Sequence, residues 1–372
     1  MTKYRFDKIA INSTQKKKPT EEDKAHYIGL EHIDPGCFDI VRWGSDVAPT
    51  GDKLLMQKGD VLFGKRRAYQ RKVAIAPFNG IFSAHGMVLR PNLKVIDANY
   101  FPFFISSDKF MDTAVRISVG GLSPTINWKD LAKQEFELPS LEEQKVLADK
   151  LWAAYRLKEA YKKLLVATDK MVKSQFIEMF GDCANSIKLS SLCSTFADGD
   201  WIESKDQSEL GIRLIQTGNV GNGFFKDKEE KSRYISEETF DNLHCTEIYP
   251  GDILVSRLPD PIGRACIIPQ GLGRTITAVD CTIIRLKDII LPDYFIAYTM
   301  TPSYVAQINE VTTGTTRRRV SRANLGNILI PCPSIAKQQQ FVAIAKQADK
   351  SKFELRKSIE AIDQVIKSLI NN

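Results

Sequence analysis

The 372 residues are 43% hydrophobic and 26% charged, with 22 Gly and 16 Pro, a composition that excludes collagen-like, low-complexity and wholly disordered chains. At about 150 residues per domain, two to three domains are expected. The net charge of +7, from 52 basic and 45 acidic residues, permits an anionic partner without requiring one. Apolar runs such as Tyr100 to Ile105 fall far short of the roughly 20 residues that cross a bilayer, and the N-terminus lacks a signal-peptide core, so neither a membrane span nor export is expected. Seven cysteines (37, 183, 193, 245, 266, 281, 332) include no C-x-x-C pair, and His26, His32, His85 and His244 lack ligand spacing. The expectation is reduced thiols in a cytoplasm and no structural zinc.

In chain order, Val61 to Phe63, Val73 to Ala76 and Gly86 to Leu89 are short apolar runs bounded by Gly, Pro or Asn, and are predicted strands. Short helices are predicted near 97–117. Ser140-Leu141-Glu142-Glu143 is an S-x-x-E capping box directly after Pro139, so a helix should start there. Stepping by four and three from Leu147 gives Leu151, Ala154, Lys158, Tyr161, Leu165, Thr168 and Val172, a period of about 3.5 that suits a stripe buried against a partner helix. Gly181 fits the position just after the helix, and 182–186 reads as a linker.

The remaining half repeats this order. At an offset of 194, Tyr100-Phe101 meets Tyr294-Phe295, Gly120 meets Gly314, Leu131 meets Leu325, Pro139-Ser140 meets Pro333-Ser334 and Gln144 meets Gln338; upstream, at 192, Gly59-Asp60-Val61-Leu62 meets Gly251-Asp252-Ile253-Leu254. Strands are therefore predicted at 253–255, 265–268 and 281–284, and helices near 291–309. The second tail steps through Phe341, Ala345, Ala348, Lys352, Leu355, Ile359, Ile362, Ile366 and Leu369 in one phase. Lys158 and Lys352 share a heptad position. A helix of 38 residues at about 1.5 Å each is about 57 Å long, more than one small domain covers, so the tails should pair rather than lie on their own domains.

No phosphate loop, G-x-G-x-x-G, H-E-x-x-H or G-x-S-x-G is present, nor the Asn- or Asp-Pro-Pro-aromatic signature of amino-methyltransferases. Asp260-Pro261 and Pro292-Asp293 read as turns, His85 and His244 as surface or core polar residues. Two segments per copy point to DNA instead. Lys65, Arg66, Arg67, Tyr69, Arg71 and Lys72 concentrate cations and an aromatic between two strands; the second copy keeps cations there only at Arg257 and Arg264. Ser118, Gly120, Gly121, Ser123 and Thr125 stand opposite Thr313, Thr315, Thr316, Arg317, Arg318 and Arg319. Small residues let a backbone approach phosphates, and arginines grip phosphate or read guanine.

Three features, the Gly-Asp-Val-Leu turn with its counterpart at 251–254, the Gly- or Thr-rich turns at 120 and 314, and the run Phe136 to Gln144 into the helix, resemble the specificity subunit of type I restriction-modification enzymes. The second copy has Lys337-Gln338 where the first has Glu143-Gln144, with Ser334 still at the cap. The resemblance covers essentially the whole chain. It implies an α+β fold with two tandem target-recognition domains, 1–139 and 182–333, separated by two long antiparallel coiled-coil helices, 140–181 and 334–372, in a pseudo-two-fold internal repeat. It also implies a non-catalytic subunit that brings two modification (methyltransferase) subunits and restriction/translocase subunits onto a split sequence in double-stranded DNA. No cofactor is then expected on this chain, S-adenosylmethionine belonging to the partner methyltransferase. Two other readings stay open on the residues alone: a protein-protein scaffold with duplicated binding domains, and a stand-alone DNA methyltransferase or nuclease.

Overall fold

The computed structural model describes residues 2–315 and 318–371. These form two compact units, 1–162 with 356–372, and 163–355.

In the first unit the central sheet is antiparallel, in the order Ala10–Ser13, Met87–Pro91, Val61–Phe63, Val73–Ile75. Its strands are apolar on consecutive residues because both faces are buried. Val61, Phe63 and Met87 face a core shared with the helices Phe101–Ser106 and Asp108–Arg116, whereas Leu62, Ala74 and Val88 face a second core with Leu54, Met56 and Phe82. Those last residues belong to a second sheet, Lys16–Lys17, Lys53–Met56, Gly80–Phe82 and Tyr27–Ile28, whose final pair is parallel. Thr2–Arg5 pairs with Glu135–Leu138, and the 40-residue helix Leu141–Phe180 follows.

The second unit repeats these layers. Cys193–Asp198, Cys281–Leu286, Ile253–Ser256 and Ala265–Ile267 make the central sheet. Ile253 and Val255 face a core with Tyr294 and Phe295, and Leu254 and Cys266 face another. A three-stranded sheet, Arg233–Ile235, Ile212–Ile215 and Thr275–Thr277, again ends in a parallel pair, and Ser186–Lys188 pairs with Leu329–Pro331 before the helix Ile335–Asn371. All six predicted strands and both helical stretches are present.

The shared motifs turn out to be joints. Gly59 and Gly251 hold φ of +91° and +95°, which only glycine adopts at little cost. The next residue, Asp60 or Asp252, is buried; it accepts a backbone N–H (Gln57, 2.7 Å; Tyr249, 2.9 Å) and chelates Arg90 or Arg285 on the neighbouring strand. Ser140 and Glu143 form the expected capping box. Gln144, 1% exposed, accepts from Asp97 N and donates to the carbonyls of Val95 and Pro139; Gln338, 0% exposed, does the same with Leu291, Ile289 and Pro333. Gly181 is needed for a different reason from the one its position suggests. A Cβ there would lie 2.6 Å from the Ile177 carbonyl, so close approach, not a left-handed backbone, selects glycine.

Within each unit, one end of each long helix meets the other. Lys158 pairs with Asp363 at 2.5 Å in the first unit, and Lys352 with Asp169 at 2.8 Å in the second. The offset of 194 exchanges these two pairs. In the second unit Asp169 meets Lys352 while Phe176 meets Phe341 (ring centroids 5.1 Å), so the two segments run antiparallel. Leu151 and Phe341 are buried, and Leu147, Tyr161, Leu165, Val172, Leu355, Ile359, Ile362 and Ile366 are half-buried. All seven cysteines are free, and burial pushes the Cys266 thiol up to about 12. Among the described residues, no helix is long and apolar enough to cross a membrane.

Candidate nucleic-acid interface

The two segments singled out in each copy are one surface. In the first unit the Lys65 carbonyl accepts from Ile126 N (3.1 Å), Arg67 N donates to the Pro124 carbonyl (2.7 Å), and Val119 and Thr125 exchange both backbone bonds (3.0 and 2.9 Å) around Gly120. In the second, the Arg257 carbonyl accepts from Val320 N (3.2 Å), and Thr313 and Arg319 exchange bonds of 2.9 Å around Gly314. Gly120 and Gly314 hold φ of +112° and +96°, as a tight turn requires.

The first unit's loop pair exposes uncompensated charge. Ser123 Oγ accepts from both Arg66 (3.2 Å) and Arg67 (3.1 Å), which aligns the two guanidiniums. Arg66 also lies 3.4 Å from His85 Nε2. Tyr69 is 55% exposed beside them. Among the described residues Lys65, Arg66 and Arg67 have no carboxylate partner. Burial, and then the charge of Lys16, holds Lys65 below the usual lysine range. Burial, and then Arg66, Lys65 and Lys53, holds His85 below the usual histidine range. Like charges this close, without acids, favour an anionic ligand. Gly120 and Gly121 are exposed, Ser118 donates to the Ala114 carbonyl, and Thr125 to that of Ser123.

Four of the expected residues bond to protein groups instead, two of them, Arg257 and Arg264, buried. Arg71 pairs with Asp108 at 2.6 Å at a helix start, and Lys72 donates to the Leu30 carbonyl at 2.6 Å. Arg264, 7% exposed, donates to the carbonyls of Thr217, Val220, Leu258 and Pro261 at 2.8–2.9 Å. Arg257, 3% exposed, donates to the Val279 carbonyl and pairs with Asp198 at 3.3 Å. The Arg264 fork is filled by protein carbonyls, as a buried cation requires, whereas Arg257 keeps a buried Nε with no hydrogen-bond partner. Arg319 is exposed but 3.7 Å from Asp280; Thr313, Thr315 and Arg318 are exposed, and Thr316 and Arg317 lie outside the described residues.

Sequence reasoning missed Lys16, Lys53 and His85 on the basic side, and Asp198 and Asp280 on the acidic side. Only Lys16 had a visible signal, the run Lys16-Lys17-Lys18. The others depend on chain crossings that no local pattern encodes. No cluster of potential metal ligands occurs among the described residues.

The signature of the type I restriction modification DNA specificity domain matches residues 6–165 and again 185–364. The chain belongs to that family. Membership makes it a DNA-specificity component, the non-catalytic part of such systems, and does not favour the scaffold or free-standing enzyme readings. A Methanocaldococcus jannaschii protein provisionally named the MjaX type I restriction enzyme specificity subunit is 25% identical over 370 residues, covering 92% of this chain and 84% of the relative. The EcoDI specificity subunit of Escherichia coli is 28% identical over 146 residues, 38% of this chain and 31% of that one. Two solved structures share the fold. A chain from a study of complex assembly and conformational transition in a type I restriction-modification system superposes with a TM-score of 0.64 at 17% identity, covering 99% of this chain and 96% of that one. The type I specificity subunit of M. genitalium gives 0.55 at 15% identity, covering 99% and 94%.

Proposed function

We propose that this specificity-domain chain reads a bipartite sequence in double-stranded DNA, one half-site per unit, and holds two modification subunits there for adenine-N6 methylation, with restriction/translocase subunits joining the same core. The observation that carries this reading is the repeated loop pair: the bond from Ile126 or Val320 N and the paired bonds around the glycine turn close it in both units, while its side chains differ. Like scaffolds with unlike side chains suit two half-sites of different sequence. The paired helix segments act as a rigid antiparallel strut, and two readers on such a strut meet half-sites at one spacing and rotational phase. In this reading Lys65, Arg66, Arg67, Tyr69, Ser123, Arg318 and Arg319 contact the DNA. S-adenosylmethionine and the methyl transfer belong to the partner; this chain positions the duplex so that a flipped adenine reaches that pocket. The names of the relatives above, both specificity subunits, support the sequence-reading role.

Methylation-sensitive sequencing of host DNA tests it. Two unlike half-sites with a fixed gap are expected, and inserting one heptad in each long helix should change the gap alone. A contiguous motif, or a changed half-site after insertion, overturns the proposal.

A further inference from the structure

The loop after the strand Ile253–Ser256 is the second unit's counterpart of the cationic loop in the first. Where the first carries Arg66, Arg67 and Tyr69, the offset of 192 places Leu258, Pro259 and Pro261. Between Arg257 and Arg264 the run Leu258-Pro259-Asp260-Pro261-Ile262-Gly263 offers one polar side chain, that of Asp260. Its own counterpart, Ala68, is buried, whereas Asp260 is exposed at the tip with Pro259 and Pro261. The tip is held from beneath. Arg264 Nη1 donates to the carbonyls of Leu258 (2.8 Å) and Pro261 (2.9 Å), on either side of Asp260, and Ser256 Oγ also donates to Leu258 (3.2 Å). Buried Tyr304 donates to the Gly263 carbonyl at 2.8 Å. Arg257 and Arg264 are taken by other groups, and Asp260 forms no ion pair among the described residues.

A carboxylate fixed on a DNA-facing loop is restricted in what it can meet. Phosphate repels it, and the groups of a duplex that can donate to it are the base amino groups. In the major groove, adenine N6 lies beside the acceptor N7, which also repels a carboxylate, whereas cytosine N4 is a donor with no acceptor beside it on that base. The exposed Arg318 and Arg319, on the loop bonded to this one through Val320 and Arg257, supply the positive charge that brings the surface to the backbone. Resting on the DNA reading above, we infer that Asp260 is a specificity-determining residue of the second unit and accepts from the N4 amino group of a cytosine in its half-site. The first unit has alanine at this position, so the contact belongs to one half-site alone.

Methylation-sensitive sequencing of DNA from cells carrying the wild-type chain or D260N tests this. The wild type should require cytosine at one position of one half-site. An amide pairs with adenine N6 and N7, so D260N should admit adenine there, with discrimination for cytosine lowered about fivefold or more, and leave the other half-site and the gap unchanged. Filter binding then isolates the amino group. A duplex carrying pyrimidin-2-one, cytosine without its N4 amine, at that position should bind the wild-type chain about fivefold more weakly than the cytosine duplex, and D260A should bind the two alike. Asp260 is exposed, so both variants should keep the wild-type Tm. Two half-sites that D260N leaves unchanged would overturn this inference while the DNA reading stands. A uniform loss of affinity with the motif intact would assign Asp260 to a cation of a partner subunit and overturn it as well; a contiguous wild-type motif would overturn both.

Discussion

The two loop pairs share a backbone and differ in how their cations are held. In the first unit Arg66 and Arg67 lean on the neutral Ser123 hydroxyl and keep their charge; in the second, Arg257 and Arg264 are inside the protein, and Arg319 stands near Asp280. Lys72 and Arg264 make the comparison plainest. Both reach back to a carbonyl of a short 3-10 turn, Leu30 or Thr217, so the aligned cations are struts of the loop. The lesson is that a matched pair of basic residues in a repeat can mark shared architecture, while the unmatched residues mark what each copy does differently.

The comparison breaks most visibly at Arg264. Arg264→Ala leaves four carbonyl acceptors without their donor and should cost the second unit about 3 kcal/mol or more. Calorimetry should show its transition about 6–12 °C lower; an unchanged Tm would return Arg264 to the solvent and to DNA. Next in size, the double variant R66A/R67A should leave the Tm unchanged, weaken duplex binding about 10- to 100-fold, and flatten the log-log salt slope by about 2. Asp280→Asn, which releases Arg319, should steepen that slope instead. Filter binding at several salt concentrations reads both, and equal slopes for all three proteins would erase the distinction between the units.

The smallest effect concerns pH. Burial, and then Arg66, Lys65 and Lys53, holds His85 below the usual histidine range in the free protein. A DNA phosphate beside it favours the charged ring, so its pKa is higher in the complex than in the free chain. Binding then takes up a proton, and affinity should rise as pH falls through the bound value, levelling off below the free one. The gain should be about three- to tenfold between about pH 8 and about pH 5.5. His85→Gln should abolish it; a persisting rise would assign the proton to another group.

The helix pair shows how far local pattern reaches. A 3.5-residue stripe and a capping box suffice to place the helix start at Leu141 and to select the face that becomes buried, because both depend on neighbours within a turn or two. That Lys158 and Lys352 each find an aspartate on the other helix is invisible in either stripe, since Asp363 and Asp169 are about 200 residues away in sequence. The interface divides in the same way. The sequence alone determined the duplication, three strands in each copy and the two loops of interest, because repeats, apolar runs and glycine turns are read from near neighbours. Tertiary structure alone decided that the two loops join, that Arg257 and Arg264 turn inward while Arg71 and Lys72 bond to neighbouring chain, and that Lys16, Lys53 and His85 complete the charged face. A cation's role depends on whether its donors meet protein or solvent, and that is settled only when distant segments of chain come together.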